Sequence, residues 1–234
     1  MTETFLDGRV VVRQPEIGFR SGLDAVMLAA AVPARGGDTT LELGAGAGTA
    51  SLCLLARVPG LVATGIEIAP ALAALAEANA AANGMTAHFA AADIFALPGA
   101  LKRDFDHVFC NPPFHDEANA PPDAARARAL MDEGRLGDWL ALGLRRTVSG
   151  GSFTAILRAD RLAEALKALP GGGVTVLPLW PRAGEPARRV IVQARKGTRA
   201  PLRLLPGLVL HTADGGWTAQ ADAILRGGGA LALL

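Results

Sequence analysis

Short apolar runs alternate with longer amphipathic or alanine-rich stretches along most of the chain. The runs have the length of buried strands, and the stretches between them have the length of helices. Strand–helix alternation of this kind predicts a parallel sheet with right-handed crossovers and helices on both faces. The predicted strands are 38–43, 61–66, 86–91, 105–110, 151–158, 173–180, 188–195 and a short one at 207–211; the predicted helices are 22–32, 48–57, 70–83, 136–147, 160–169 and 217–226.

The strands at 173–180 and 188–195 follow each other without an intervening helix, which predicts an antiparallel hairpin at the sheet edge. The expected fold class is therefore α/β: a Rossmann-like, mostly parallel, seven-stranded sheet with an antiparallel edge hairpin. Ser21 is a candidate N-cap for the first helix. Asn83-Gly84 is a candidate C-terminal end for the alanine-rich helix.

The length of 234 residues indicates a single domain with a substantial core. We expect a partly extended lead-in and a helix in residues 1–35, the core in 36–199 and a C-terminal extension in 200–234. The two cysteines, Cys53 and Cys110, lie in apolar elements and are expected to be buried thiols of a reducing compartment.

No leader sequence opens the chain, and the longest apolar stretch, 25–34, is too short to span a bilayer. These features predict a soluble, cytoplasmic protein. No His/Cys/Asp spacing resembles a metal site, so no metal is expected.

The charge is unevenly spread, although the net charge is only +1. Residues 1–144 carry 10 Lys/Arg and 17 Asp/Glu, a net −7, whereas residues 145–234 carry 13 and 5, a net +8. This asymmetry predicts a basic face for a polyanion such as RNA. The alternative is a solvated surface in an arginine-rich protein. The basic residues that are close in sequence are Arg182, Arg188, Arg189, Arg195, Lys196 and Arg199.

A glycine-rich turn, Glu42-Leu43-Gly44-Ala45-Gly46-Ala47-Gly48, joins the first predicted strand of the alternating series to a helix. Glycines allow a sharp turn and a close approach of the backbone to a ligand, and a helix N-terminus offers free N–H groups. The next strand ends in Glu67, an acid placed to bind a ribose diol. The spacing differs from the dinucleotide fingerprint, which disfavours a dehydrogenase.

A second motif, Asn111-Pro112-Pro113-Phe114, follows the apolar run that ends at Cys110. In an open parallel sheet, ligands bind at the carboxyl ends of the strands. The amide oxygen accepts hydrogen bonds, the prolines stiffen the loop, and the ring offers a stacking face. A plain turn leaving a strand is the alternative. The motif suits holding a planar amino or amide nitrogen in place.

In this order, the two motifs and Glu67 resemble the class I S-adenosylmethionine-dependent methyltransferases over most of residues 5–195. Asn111-Pro112-Pro113-Phe114 resembles the catalytic motif of the amino-methylating branch. Within it, the chain looks most like the bacterial methyltransferases of adenine N6 at adenosine 37 of tRNA(Val). The segment 19–24 and the basic strand 188–192 support that narrower resemblance. The resemblance implies a class I methyltransferase fold.

The resemblance implies S-adenosylmethionine as the cofactor and a tRNA as the substrate. Asn111, Pro112, Pro113 and Phe114 would be catalytic. The implied cofactor-binding residues are Arg20, Glu42, Gly44, Ala45, Gly46, Gly48, Glu67, Ile68, Asp93, Ile94 and Asn111. The expected RNA-binding residues are Arg182, Arg188 and Arg189.

Other hypotheses remain open at this stage. Guanine-N2 methyltransferases of ribosomal RNA and glutamine methyltransferases of release factors share the Asn-Pro-Pro-Phe signature. The latter usually carry an N-terminal helical domain, whereas only about 35 residues precede the first strand of the core. A non-catalytic RNA-binding protein is less favoured because the motifs are intact. His107 is expected to pack in its strand, His115 to lie in an exposed loop, and Trp139, Trp180 and Trp217 to serve packing. The loop 115–135 is a candidate lid.

Overall fold

The computed structural model describes residues 1–16, 20–113, 135–170 and 173–233. Its strands are β1 (Thr2–Phe5), β2 (Val10–Arg13), β3 (Thr39–Leu43), β4 (Val62–Glu67), β5 (Ala87–Ala91), β6 (Phe105–Cys110), β7 (Thr147–Arg158), β8 (Val174–Trp180), β9 (Arg189–Arg195), β10 (Arg203–Leu204) and β11 (Leu208–Val209). Its helices are α1 (Leu23–Ala31), α2 (Thr49–Arg57), α3 (Pro70–Ala82), α4 (Leu136–Arg145), α5 (Leu162–Ala168) and α6 (Ala219–Leu225).

Nine of the described strands form one sheet in the order β10-β8-β9-β7-β6-β3-β4-β5, with β11 also paired to β8. β3, β4, β5, β6 and β7 are mutually parallel, and β9 lies antiparallel between β7 and β8. The α/β fold class and the antiparallel hairpin are therefore confirmed. The sheet exceeds the expected seven strands because two-residue strands β10 and β11 extend its edge along β8.

The strand order reverses at β3, which has β4 on one side and β6 on the other. The chain after β3 first builds the sheet outward through β4 and β5, and then returns to add β6 and β7. In doubly wound sheets, ligands bind where the order reverses, at the carboxyl ends of the strands. The glycine-rich turn after β3 and the Asn-Pro-Pro segment after β6 are thus neighbours.

Two apolar layers sandwich the sheet because its parallel strands are buried on both faces. One layer contains α1, α2, α6 and the inner side of β2, while α4 and α5 cover the opposite face. Cys53 and Cys110 are buried free thiols, one in each layer, and burial raises the pKa of both. Within the described residues, no helix is long and apolar enough to cross a membrane.

The predicted helix ends are only partly correct. The helix predicted over 22–32 begins after Gly22, whose side chain cannot cap, so the prediction of Ser21 as N-cap is wrong. The alanine-rich helix does end at Asn83, and Gly84 follows with φ +65°. That left-handed conformation is typical of the residue after a helix and favours glycine.

The N-terminal lead-in contains a β-hairpin, β1–β2, that the sequence pattern predicted only as partly extended. Asn79 of α3 and Asn83, at the C-terminal end of that helix, bind β2. Asn83 Oδ1 accepts from the Val11 N–H at 2.8 Å, and Asn79 Oδ1 accepts from the Arg13 N–H at 2.9 Å. Asn79 Nδ2 donates to the Ala47 carbonyl at 3.0 Å. One buried side chain therefore ties the hairpin, α3 and the glycine-rich turn together.

Candidate functional site

The glycine-rich turn leaves an open space at Gly46. This residue has φ +55°, and a Cβ placed on it would have no neighbour within 4 Å among the described residues. Gly44 also has a positive φ, +70°, but a Cβ there would lie 2.7 Å from the Trp139 ring. The first glycine is therefore required by packing, whereas the second leaves backbone accessible to a ligand.

Glu67 ends β4 directly beside this space. Its Oε2 accepts from the Gly46 N–H at 2.9 Å, and its Oε1 accepts from the Ala69 N–H at 3.0 Å. Both bonds hold the carboxylate against the turn, and each oxygen retains a further lone pair. The neighbouring Ile68 is 58% exposed, an apolar side chain facing solvent next to a fixed acid.

Asn111 lies beside the turn because β3 and β6 are paired in register. Leu43 is opposite Cys110, so Gly44 and Asn111 leave neighbouring strands at the same level. Asn111 Oδ1 is buried and has no hydrogen-bond partner within the described residues. Pro112 is buried and Pro113 is exposed. Buried polar atoms are rarely left unpaired in native proteins, so this oxygen is available to a donor from outside the described residues.

An aromatic side chain that sequence reasoning assigned to packing also borders this edge. Trp139 of α4 lies against Gly44 and makes an edge-on contact with Phe95, with ring centroids 6.3 Å apart. The Arg135 guanidinium lies 3.6 Å from the centroid of the Phe95 ring. The three side chains form a wall on the α4 side of the site. The sequence offered no signal for it, since the wall joins segments that are distant in the chain.

A family model for the methyltransferase small domain matches residues 20–135, just under half of the chain. These residues are similar to that domain. A curated relative, the ribosomal RNA small subunit methyltransferase C of Salmonella paratyphi B, is 31% identical over 127 residues. That match covers 53% of this chain and 36% of the relative, so the chain matches about a third of the relative's length.

Two solved structures share the fold of this chain. One, from Agrobacterium tumefaciens and described as a predicted O-methyltransferase, has a TM-score of 0.74 at 29% identity and covers 89% of this chain and 98% of its own. The other is the Thermus thermophilus 16S rRNA N2 G1207 methyltransferase, in complex with S-adenosylmethionine and guanosine. It has a TM-score of 0.58 at 21% identity and covers 84% of this chain and 50% of its own.

The described residues fit S-adenosylmethionine, the cofactor that the sequence resemblance implies. The space over Gly46 allows a ligand to approach the backbone closely. Glu67 offers acceptor oxygens of the kind that bind a ribose diol, and Ile68 offers an exposed apolar surface. Asp93 accepts from the Phe95 N–H at 2.8 Å and so fixes the turn that carries Ile94, which is buried. Among the described residues, no group of three His, Cys, Asp or Glu side chains forms a candidate metal site.

Glu42 lies inside the protein, below the turn. Its Oε2 accepts from the Ser51 hydroxyl at 2.5 Å and from the Ser51 N–H at 3.1 Å. Burial raises the pKa of Glu42 to about 8; the bonds from Ser51 oppose this rise, and the charge of Glu67 adds to it. The hydrogen bonds of Glu42 to Ser51 stabilise the start of α2. Its contact with the cofactor stays a prediction.

The Glu42→Gln variant is expected to change how stability depends on pH. Between pH 4.5 and about 8, the folded protein retains a proton on Glu42 that the unfolded chain releases. The stability of the parent therefore falls as pH rises through this window, and it is fully present below it. Glutamine stays neutral and keeps an acceptor for Ser51. At about 1.4 kcal/mol per pKa unit, the variant should gain a few kcal/mol near pH 8.

Thermal unfolding of the two proteins between about pH 5 and pH 8 measures this difference. Glu77→Gln, which changes a half-exposed acid of α3, is the matched control. Parallel stability curves for Glu42→Gln and the parent would show that Glu42 is ionised in the folded protein.

Arg20, a predicted cofactor ligand, forms an ion pair with Glu3 of β1. The adjacent residue, Ser21, is held by Gln14, which accepts from the Ser21 N–H at 2.6 Å and donates to its carbonyl at 2.9 Å. These contacts fasten the segment to the N-terminal hairpin. Phe114 and His115 lie outside the described residues, and so does the candidate lid apart from Arg135, which lies in the wall beside Phe95.

His107 is packed, as expected, and lies far from Asn111. Its Nδ1 is 2.8 Å from the Ser152 hydroxyl and its Nε2 is 3.1 Å from Asp38 Oδ2. Ser152 is buried, so this set joins β6, β7 and the start of β3 rather than presenting a nucleophile. It lies four residues before Asn111 along β6, about 13 Å away.

The predicted RNA-binding residues lie at the same end of the sheet as Asn111, where the parallel strands finish. β9 begins there, with Arg189 opposite Arg158 at the carboxyl end of β7. Arg189 pairs with Asp24 at 2.9 Å and Arg182 with Glu185 at 3.3 Å, whereas Arg188 is exposed. β9 ends at the opposite edge, where Arg195 faces Ser152. The basic residues that are close in sequence therefore form two groups, because β9 separates Arg189 from Arg195 by about 20 Å.

Proposed function

We propose that this protein transfers the methyl group of S-adenosylmethionine to an exocyclic amino nitrogen of a nucleobase in RNA, with adenine N6 in tRNA as the first candidate. The observation that carries the proposal is the buried Asn111 Oδ1 beside the glycine-rich turn, which has no hydrogen-bond partner among the residues that the structure describes. An amino group supplies the donor that this oxygen lacks. The family and its cofactor provide the reaction type.

The chemistry asks the protein mainly to position the acceptor. The exocyclic nitrogen is a weak nucleophile because its lone pair is delocalised into the ring. Asn111 Oδ1 and the Pro112 carbonyl would accept its two hydrogens, which turns the lone pair away from the ring. The cofactor supplies an electrophilic methyl group on a sulfonium. The new C–N bond replaces the S–C bond, and the nitrogen then loses a proton to solvent, so positioning lowers most of the barrier.

The cofactor would lie over the turn between β3 and β6. In this arrangement, Glu67 binds the ribose, and Ile68 and Ile94 flank the adenine ring. Gly44, Ala45, Gly46 and Gly48 approach the rest of the cofactor through backbone atoms. Phe114 would stack on the target base, since unpaired RNA bases commonly stack on aromatic rings.

Guanine N2 in ribosomal RNA is the second candidate. The observation in its favour is the 31% identity to ribosomal RNA small subunit methyltransferase C, together with the shared fold of a G1207 enzyme. Guanine N2 is also an exocyclic amino group, so Asn111 and Pro112 would hold it in the same way. A protein glutamine amide is the third candidate and is favoured only by the Asn-Pro-Pro segment.

Nucleoside mass spectrometry separates these candidates. Transfer RNA and the ribosomal RNAs are purified separately from a strain lacking the gene and from its parent. We expect N6-methyladenosine to be reduced in the tRNA of the deletion strain and restored by the parental gene, but not by Asn111→Ala. Loss of N2-methylguanosine from ribosomal RNA would instead select the second candidate. Unchanged RNA nucleosides with a lost methylglutamine would reject RNA as the substrate.

Glu67→Ala is expected to weaken cofactor binding by roughly 1–3 kcal/mol, the range for a lost hydrogen bond to a charged group. Calorimetric titration with S-adenosylmethionine measures the change. Glu67→Gln keeps an acceptor for the Gly46 and Ala69 N–H groups and separates ribose binding from support of the turn. Glu77→Ala, an acid of α3 whose described partners are His88 and the Phe89 N–H, is the control. Equal affinities for Glu67→Ala and the parent would contradict the ribose assignment.

A further inference from the structure

A groove of about 380 Å³ lies at the end of the sheet opposite Asn111, where the parallel strands begin. It is formed by α4, α5, the start of β8 and the end of β9. It is lined mostly by aliphatic side chains, among them Leu144, Leu169 and Val174. Exposed Arg145 and Arg195 complete its lining. Its volume falls in the range of about 300–1,000 Å³ that is typical of ligand sites. The methyl-transfer chemistry described above involves none of these residues.

The basic residues around this groove differ from those at the Asn111 edge. At the Asn111 edge, Arg161, Arg182 and Arg189 each pair with a carboxylate. At the groove, Arg145 and Arg195 have no ion pair with any residue that the structure describes. Positive charge is thus available at the groove and largely neutralised at the other edge.

The remaining charges near the groove are few. Lys196 donates to the Arg145 carbonyl at 2.8 Å and to the Thr147 carbonyl at 2.5 Å. It therefore caps the end of α4 instead of facing a partner. Asp104, whose carboxylate lies 3.9 Å from both Lys196 and Arg146, is an acid near the groove. The described surface there carries a net positive charge.

We propose that this groove is a second contact site for the RNA substrate, remote from the methylated base. Arg145 and Arg195 would bind phosphates, and the aliphatic lining would receive an unstacked base or a ribose. The inference rests on the proposed function, because it assumes that RNA is the substrate. An RNA strand is the occupant that matches both the exposed arginines and the apolar lining.

The distance between the two sites suits one RNA molecule. Arg195 faces Ser152, which faces His107, and Asn111 lies four residues beyond His107. Four residues along β6 and two strand spacings across the sheet give about 15–20 Å. That span corresponds to about five nucleotide steps at ~3.4 Å each. A structured RNA with its target base at Asn111 therefore reaches the groove without distortion.

Two groove variants test the proposal with tRNA from a strain lacking the gene, labelled at its 3′ end. In the Arg145→Glu/Arg195→Glu variant, RNA affinity should fall at least tenfold at low salt. Its salt slope should flatten by about 2, one for each lost phosphate contact. Ala141→Trp fills the groove without changing charge, so it should weaken binding and leave the slope unchanged. In both variants KM for RNA should rise while kcat and cofactor affinity hold.

Arg35→Glu/Arg226→Glu changes the net charge equally at exposed positions away from the groove and is the matched control. An equal loss of affinity in this control would show that the effect comes from the net charge and not from the groove, which would overturn the proposal. Parental affinity in both groove variants across the salt series would also overturn it, leaving RNA methylation itself intact. A parent that binds cofactor but neither binds nor methylates RNA would overturn the proposed function as well.

Discussion

Asn111→Ala is expected to lower kcat for methyl transfer by about 10²–10³-fold, the loss seen when one preorganised polar contact is removed from a transition state. The amide oxygen accepts from the target nitrogen only when substrate is bound, so cofactor binding should change little. Single-turnover rates with methyl-labelled S-adenosylmethionine measure the loss, and calorimetry measures cofactor affinity.

The same variant should be as stable as the parent or more stable. Asn111 Oδ1 has no partner among the described residues, and an unpaired buried oxygen costs about 1–3 kcal/mol. Removing it therefore relieves a cost in the free protein. A residue that served only structure would show the opposite pattern, with stability lost and turnover kept. Active sites commonly show this opposition between stability and function.

Asn111→Asp is the informative companion variant. It keeps acceptor oxygens in place and adds a negative charge, so part of the activity should remain. Near-normal turnover in Asn111→Ala would exclude amino-group positioning by this residue and, with it, the proposed reaction. Loss of cofactor binding in both variants would instead assign Asn111 to the cofactor alone.

The elements that the sequence predicted well are those whose periodicity is strong. β3, β4 and β6 are buried along nearly their whole length because parallel strands are covered on both faces. The motifs sit at their carboxyl ends, so the pairing of β3 with β6 brings Gly44 beside Asn111. Chain order and strand direction sufficed to predict this half of the site.

The features that were missed depend on contacts between distant segments. The wall formed by Arg135, Phe95 and Trp139 joins a turn after β5 to the start of α4, and no local pattern encodes it. The N-terminal hairpin is fixed by Asn79, a polar residue in an alanine-rich helix. Its role follows only from its burial and its three partners.

The basic residues show a different limit of sequence reasoning. Arg189 and Arg195 are six positions apart in the chain, yet the strand that joins them crosses the sheet from one edge to the other. Their closeness in sequence indicated one basic patch. The extended backbone between them instead places them in two separate patches. The ion pairs then distinguish the two groups, because acidic partners accumulate at the Asn111 edge.

Gly46→Leu is expected to weaken S-adenosylmethionine binding by about 10–100-fold, because the side chain would enter the space that the cofactor needs. Overfilling a packed site typically costs about 1–3 kcal/mol, which corresponds to this range in Kd. The space is empty in the described structure, so the added side chain meets no neighbour within 4 Å at its Cβ. The fold should therefore survive, and the loss should be confined to the ligand.

Gly84→Leu is the matched control for this prediction. Gly84 has φ +65° against +55° at Gly46, and a Cβ on it likewise meets no described atom within 4 Å. Both variants carry the same strain of a bulky residue in the left-handed region, roughly 1–2 kcal/mol. Their melting temperatures should fall equally, while only Gly46→Leu loses affinity in calorimetric titration. If both variants bound S-adenosylmethionine like the parent, the cofactor would have to lie away from Gly46, and the role assigned to the glycine-rich turn would be wrong.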